Sequence, residues 1–368
     1  MVRPVPQHLH IIEPTLRSHD GHLSSLVREF AELFDGPVIV HADRNVQELS
    51  MHGVEIVGRF PRRLRKLMLP WVYFRLLRTD ERVLVSTATT ADFWSLGLAS
   101  RLSRRSTSGV TLFVHWYRHK RRKGRVMSAF AREHPDIAVL APTPECTDAL
   151  RSCGFRNVTQ VPYPFHFQSS QTDTVTADDP IVLVAGGTRR DKGFRHVVAL
   201  IEHLASRGVD LPFTIQVSGD HWGEYKDNIG SLVERLHEVR LPRLRTVSDA
   251  LGPGAYQALF RGTIVLQPYE SSIFRDRVSG VTLDALNAGS PIVASAGTWT
   301  SGIVARFGCG VVCESSAPES LHEAIQTIRS RYPEFQGRTL AARAILRHEL
   351  EASPVARILR RDIGPRDS

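Results

Sequence analysis

Short, continuous apolar runs alternate along this chain with longer segments whose apolar residues recur every three or four positions. The runs are rich in Val, Ile and Leu and predict strands covered on both faces. The longer segments predict the amphipathic helices that cover them. In the first half the pattern predicts strands at Leu9–Glu13, Pro37–His41, Val54–Val57, Arg82–Ser86, Val110–His115, Ile137–Ala141 and Val158–Val161. Helices are predicted between them at Gly21–Phe34, Arg62–Arg78, Ala91–Ser103, Gly124–His134 and Pro144–Cys153. Residues 168–180, QSSQTDTVTADDP, are polar and end in proline, which predicts a linker. The alternation then restarts, with strands predicted at Ile181–Ala185, Phe213–Val217, Thr263–Gln267, Pro291–Ala294 and Gly310–Cys313. Helices are predicted at Gly193–Arg207, Ile229–Val239, Ala255–Phe260, Gly280–Ala288 and Pro318–Arg331, and the tail from Phe335 to Ile363 reads as helical. Strands alternating with helices imply two successive α/β domains, each a doubly wound parallel sheet. The expected organisation is a first domain over 1–167, the linker 168–180, a second domain over 181–340, and a helical tail, 341–368, packing back on the first domain. Two such domains are expected to face a central cleft, with ligands at the carboxyl ends of the strands.

Two loops in the second half carry chemistry. The first is Gly186-Gly187-Thr188-Arg189-Arg190-Asp191-Lys192-Gly193, between the run IVLVA and a helix. Glycines permit a tight turn and a close backbone approach. A helix N-terminus offers unpaired N–H groups and the positive end of a dipole. Arg189 and Lys192 add two cations three residues apart, a combination suited to a diphosphate. The loop lacks the Gly-Lys-Ser/Thr order of a Walker A motif and the spacing of a dinucleotide fingerprint. Taken alone, it also fits a solvated basic turn. The second loop lies in residues 265–295, VLQPYESSIFRDRVSGVTLDALNAGSPIVAS, which read as strand, long loop, helix, strand. Ser279 and Gly280 open the helix, where N–H groups can cradle phosphate. Arg275 and Arg277 precede it and can pair with anionic oxygens. Asp284 stands one turn inside, suited to accepting hydrogen bonds from vicinal hydroxyls or, equally, to being an exposed helix carboxylate.

Together these motifs resemble the nucleotide-sugar-binding half of GT-B-fold glycosyltransferases, close to glycosyltransferase family 4. Gly186, Arg189, Lys192 and Gly193 match that family's G-x-x-R-x-x-K-G element, and Asp284 to Ala294 matches its E-A-x-A-x-G-x-P-V-V-A element. The Pro268-Tyr269 start, the Arg-x-Arg-x-Ser-Gly run and Gly297-Thr298-Trp299 are similar to a bacterial polysaccharide-type branch. The match is good over 181–313 and holds only in outline for the first half. The resemblance implies a GT-B fold built of two Rossmann-like domains. It implies that Gly186, Gly187, Arg189 and Lys192 hold a donor diphosphate. Ser279, Gly280 and Val281 would bind the distal phosphate, Asp284 the ribose, and Asp276 the transferred sugar. Both family glutamates are aspartates here, at the same eight-residue spacing, so each reaches one methylene less. Glu270 is a rival for the sugar contact. The resemblance also implies retention through a front-face displacement, in which the leaving phosphate helps take the acceptor's proton.

In the first half, His19, Asp20, Gly21 and His22 cluster where the first helix opens. In the family a glycine-rich turn borders the donor and acceptor pocket here. Asp20, Gly21 and His22 are therefore acceptor-side candidates, although Asp20 also suits a helix cap. His115 ends the run GVTLFV, where related enzymes place a histidine beside the transferred sugar, although a lone histidine at a strand end also suits a structural role. Arg189, Lys192, His115 and Asp276 make up the expected catalytic set. No Asp-x-Asp pair stands beside a strand, so no essential metal is expected.

Composition changes this picture in one respect. Of 368 residues, 42% are hydrophobic and 23% charged, an ordinary globular balance. The 47 Lys and Arg against 38 Asp and Glu leave a net charge of +9. Residues 1–170 hold 24 basic and 15 acidic side chains, and the remainder hold 23 of each, so the whole excess lies in the first half. It concentrates in Arg62–Arg78, with six Lys or Arg among Leu, Trp, Tyr and Phe, and in Arg118–Arg125, with six more and His119. A basic amphipathic helix of this kind suits an anionic membrane surface. It equally suits an ordinary solvated face. Nucleic acid is not an expected partner, since no recognised motif is present. Four cysteines without C-x-x-C spacing predict buried or free thiols in a reducing compartment. The first residues lack the apolar region of a secretory signal, and no run is long enough to span a bilayer.

The expectation is a cytoplasmic enzyme, peripheral at the inner face of the plasma membrane. It would move a hexose from a UDP- or GDP-sugar to a saccharide or lipid-linked acceptor in cell-surface polysaccharide or glycoconjugate biosynthesis. A sugar-nucleotide epimerase on the same fold and a catalytically inactive nucleotide-sugar-binding scaffold remain open as alternatives.

Overall fold

A computed structural model describes residues 8–17, 22–46, 53–79, 81–117, 121–167, 177–217, 229–248 and 251–360, with only the backbone of residues 22, 121, 122, 253 and 360. The chain divides into two compact units, Met1–His166 with His348–Ser368, and Phe167–Arg347.

The first unit runs β1 (Leu9–Ile12), α1 (His22–Glu32), β2 (Val38–Asp43), β3 (Val54–Phe60), α2 (Arg65–Leu76), β4 (Arg82–Val85), α3 (Thr90–Ser103), β5 (Val110–Phe113), α4 (Arg121–Glu133), β6 (Ala138–Ala141), α5 (Pro144–Ser152) and β7 (Val158–Gln160). Its seven strands lie in the order β3-β2-β1-β4-β5-β6-β7, and every pairing is parallel. β4 and β5 are buried at every position, because parallel strands with helical crossovers are covered on both faces. Helix starts follow local chemistry. Thr143 accepts from Cys146 N ahead of Pro144, and Thr89 forms a capping box with Asp92. The Asp92 carboxyl also accepts from Tyr73 Oη at 2.7 Å, tying α2 to α3. Burial raises its pKa despite these donors.

The second unit runs β8 (Ile181–Val184), α6 (Phe194–Ser206), β9 (Phe213–Gln216), α7 (Ile229–Glu238), β10 (Leu244–Val247), α8 (Pro253–Ala258), β11 (Thr263–Gln267), α9 (Ser271–Phe274), α10 (Gly280–Ala288), β12 (Ile292–Ser295), α11 (Trp299–Phe307), β13 (Gly310–Cys313) and α12 (Pro318–Ser330). Its strand order is β10-β9-β8-β11-β12-β13, again all parallel. In both sheets the order reverses beside the first strand, at β1/β4 and at β8/β11. Such a switch point opens a crevice at the carboxyl ends of the strands.

The doubly wound α/β class expected from the alternation is the one found. Three elements escape the pattern. β10 carries the charged Arg245 at an edge of its sheet, α9 is a single turn, and α11 lies in a Gly/Ser/Thr stretch that reads as loop. The predicted tail helix is two, α13 (Tyr332–Glu351) and α14 (Val355–Arg360), interrupted at Pro354. Val355 and Leu359 of α14 are buried with Leu9, Leu26, Phe30 and Leu84 in a core of the first unit. All four cysteines are buried, and none is joined in a disulfide.

The position of α14 generates a test. Leu359→Ala should remove about 2–5 kcal/mol from the first unit. Hydrogen exchange should report it as faster exchange of the β1 and α1 amides, with β8 and β9 amides unchanged. Unaltered β1 protection would show that α14 does not support this core.

Candidate functional site

The second unit brings the two chemical loops into contact. After β8 the chain turns at Gly186, whose φ of +83° lies in the left-handed region. Gly186 N donates to Gln216 Oε1 at 2.7 Å, and Thr188 Oγ1 donates to Gln216 O at 3.1 Å, pinning the loop to the end of β9. A 3-10 turn, Arg190–Lys192, leads to Gly193, at φ +70°. A Cβ at Gly193 would overlap the carbonyl of Pro268, so only glycine fits. Glu270 N donates to Asp191 O at 3.0 Å and completes the backbone seam between the loop and the segment leaving β11.

This seam sets the side chains. Lys192 folds back so that its Nζ lies where a Gly186 side chain would begin, 5.9 Å from the centre of the Tyr269 ring. Val281 Cγ2 borders the same spot, so the first motif touches the first turn of α10. Ser279 caps α10, accepting from Thr282 N at 3.3 Å, and Thr282 Oγ1 donates to Gln267 Oε1 at 2.7 Å. The α10 start therefore rests on β11. By helix geometry, Gly280 and Val281 present amides without an intrahelical acceptor. Asp191 bridges two guanidinium groups, 2.9 Å from Arg189 Nε and 3.6 Å from Arg277 Nη1.

Asp284 accepts from Tyr256 Oη at 3.1 Å. Burial pushes its carboxyl up to about 7, against the opposing Tyr256 hydrogen bond and the Lys192 charge. Burial, and next the Arg189 guanidinium, bring the Lys192 amine down to about 8, with Asp191 opposing. A cluster of Arg189, Lys192 and Arg277 against Asp191 and Asp284 is short of negative charge when all are ionised. Its helix N-terminus adds to that deficit. The arrangement can hold an anion with two phosphate-sized oxygen clusters and present a carboxylate to hydroxyl groups beside it.

Other predicted residues fall as follows. Gly187 follows Gly186 in the same loop, and Asp276 is a half-buried carboxylate in the segment before α10. Glu270 sits at the start of α9, paired with Arg195 Nη2 at 3.0 Å and with His196 Nε2 at 3.9 Å, so its carboxylate is already engaged. His115 is half-buried just past β5. Asp20 and Gly21 lie outside the described residues, and His22 is described only as the first backbone position of α1. Sequence reasoning missed Tyr256, Asp191 as a bridge, and Gln216. It also missed Glu13, a fully buried carboxylate at the end of β1 that accepts from Ser86 Oγ at 2.8 Å and Thr87 Oγ1 at 2.6 Å. Asp191 was within reach as the acid between two cations of the motif. Tyr256 carried no local signal.

No protein-family model and no curated protein matches the sequence. Solved structures do match in three dimensions. HepE of Anabaena in complex with UDP-glucose superposes with a TM-score of 0.69 at 16% identity, covering 96% of this chain and 97% of that one. Sucrose-phosphate synthase from Thermosynechococcus elongatus gives 0.68 at 16%, covering 95% and 96%. Trehalose-6-phosphate synthase OtsA gives 0.71 at 10%, covering 97% and 100%. The chain has the GT-B fold. The expected fold is thus the one present, along nearly the whole chain.

The raised Asp284 carboxyl has a consequence for the free GT-B chain. In the unfolded chain the group titrates near 3.8, and in the folded chain at about 7. Between these values the folded state holds a proton the unfolded state has released, so stability falls as pH rises through this window. Above it the cost of burying the charge is complete. Asp284→Asn should therefore raise the thermal midpoint of the ligand-free protein at pH 8. The gain should vanish near pH 4. A lower midpoint at pH 8 would contradict the assignment.

Proposed function

We propose that this chain is a glycosyltransferase that takes a hexose from a nucleotide-diphosphate sugar. The observation that carries the proposal is the contact of the two motifs. Lys192 Nζ and Val281, some ninety residues apart in sequence, meet at Gly186, and Arg189, Arg277 and Asp284 surround them. A pocket for one anion would need only the cations. The added carboxylate at Asp284 suits a ligand that carries vicinal hydroxyls next to its phosphates, as a nucleoside diphosphate does. HepE, of the same fold, was captured with UDP-glucose, which favours a UDP-sugar over a GDP-sugar as donor.

In this reading Gly186 and Gly187 let the backbone approach the diphosphate, and Arg189 and Lys192 neutralise it. The amides of Ser279, Gly280 and Val281 bind the distal phosphate, Asp284 holds the ribose, and Asp276 meets hydroxyls of the transferred sugar. His115 lines the sugar pocket, and Asp20, Gly21 and His22 belong to the acceptor side. The reaction is a same-face displacement. The bond from the anomeric carbon to the diphosphate oxygen breaks, and the acceptor oxygen bonds to that carbon with retention. The acceptor's proton passes to the departing phosphate oxygen. Preorganised cations and amide dipoles stabilise the charge that develops on the leaving group. No protein nucleophile and no metal are required.

The acceptor is a saccharide or lipid-linked sugar of cell-surface polysaccharide or glycoconjugate synthesis, reached from the cytoplasmic side. Support for a membrane contact comes from α2. Leu64, Leu67 and Trp71, spaced along one side of that helix, are 51%, 76% and 49% exposed. Arg75 stacks on Trp71 at 4.2 Å, and Trp94 of the neighbouring α3 is 58% exposed. Aromatic and leucine side chains ringed by arginine and lysine suit an anionic leaflet. No helix among the described residues is long and apolar enough to cross a membrane, and the attachment proposed is a peripheral one.

Two measurements test this. In calorimetry with UDP and GDP, Arg189→Ala and Lys192→Ala should each weaken binding about tenfold or more, the scale of a lost charge-assisted hydrogen bond. Undiminished binding would remove the site assignment. With anionic liposomes, sedimentation should fall with added salt and on neutralising Arg62, Arg63, Arg65 and Lys66, and should fall further with Leu67→Ser and Trp71→Ser. Absence of binding at low salt would remove the membrane contact.

A further inference from the structure

The geometry points to Tyr256 as the positioning residue of the nucleotide site: its hydroxyl holds one oxygen of Asp284 and so turns the other toward the ribose hydroxyls of the donor. The inference rests on the reading of Asp284 as the ribose carboxylate.

An aspartate on α10 reaches one methylene less than a glutamate and swings about two torsions. Left alone, the Asp284 carboxylate is drawn to Lys192, the cation that acts on it electrostatically. Tyr256 supplies the opposing tie, donating from Oη to Oδ2 at 3.1 Å. A phenol has one proton to give, so it engages one carboxylate oxygen and leaves the other available as an acceptor. The phenol is itself well placed to act as a fixed point. Its backbone N donates to Gly252 O at 2.9 Å, and its ring stands edge-on to Phe260 at 5.3 Å. Phe260 is 1% exposed, and its carbonyl accepts from Thr263 Oγ1 and Ser290 Oγ. α8 is thus anchored to β11 and to the end of α10, the helix that carries Asp284. Burial and the adjacent carboxylate raise the Tyr256 phenol well above its ordinary range. It therefore stays protonated and remains the donor at every physiological pH.

A charged amine and a neutral phenol thus compete for one short carboxylate's orientation. Lys192 is faced by Arg189, Asp191, Arg277 and Asp284, and Asp284 by Lys192 and Tyr256. Removing the phenol proton donor leaves Lys192 unopposed. It also removes a hydrogen bond that favours the ionised carboxylate, so Asp284 keeps its proton to a higher pH.

The experiment compares wild type and Tyr256→Phe by calorimetry with UDP, 2′-deoxy-UDP and inorganic pyrophosphate between pH 5.5 and 8.5, with GDP and its 2′-deoxy form as the second pair. Wild type should prefer the ribonucleotide by about tenfold, and Tyr256→Phe should reduce that preference to about twofold, the scale of one lost hydrogen bond. The acidic limb of UDP binding should move to higher pH in the variant, and pyrophosphate affinity should not change. Full retention of the ribose preference and of the pH midpoint in Tyr256→Phe would overturn the inference. So would a parallel loss of pyrophosphate affinity, which is the mark of a merely structural tyrosine. If wild type binds no nucleoside diphosphate, the functional reading itself fails, an outcome distinct from either.

Discussion

The second unit is organised around one backbone contact, the approach of Gly193 to the carbonyl of Pro268. A side chain at that point would hold the loop after β8 away from the segment after β11. Because none is present, the Glu270 amide reaches Asp191, and Lys192 folds onto Gly186 beside the first turn of α10. The cations, the helix N-terminus and Asp284 converge as a result of this seam. Their charges oppose its formation, and the close-packed backbone, together with the Gln216 anchors, holds them there.

Electrostatics at this site runs against stability. Burial shifts both Lys192 and Asp284 toward their neutral forms, and neither is deeply neutralised by the other. Stability given up at a binding site in this way is regained when a ligand supplies the missing partner charges. A phosphate beside Lys192 favours its ammonium form, and hydroxyls donated to Asp284 favour its carboxylate. In the proposed reading, ligand binding and ionisation therefore reinforce each other. The free site is held in a state that is incomplete in charge rather than in shape.

How much of this was legible in the sequence depends on how far apart the interacting residues lie. The Val, Ile and Leu runs marked twelve of the thirteen strands among the described residues, because a parallel strand covered on both faces leaves an uninterrupted apolar signature. β10 was hidden because an edge strand is only partly covered and carries Arg245 among its four residues. α11 was hidden because its start signals, Thr298 and Ser301, are also loop residues. Gly186, Arg189, Lys192, Gly193 and Asp284 stood out by spacing within their own loops. The shortened acid at 284 is visible in the sequence, but the phenol that reaches it is not. Tyr256 lies 28 positions away on a separate short helix, and no periodicity connects them. The pairing of Glu270 with Arg195 and His196 likewise joins residues some seventy-five positions apart and leaves no local signal.

The burial of Val355 and Leu359 against β1 and α1 concerns the order in which the molecule is made. These residues leave the ribosome after every strand and every site residue of the second unit. The first unit therefore emerges with a seam in its core open and stays so throughout synthesis of the second. Packing of the first unit's core is therefore completed only after the second unit has been made. The first half of the chain waits on long-range contacts, with loop closure over most of the polypeptide, and apolar strand surface is bare in the interval.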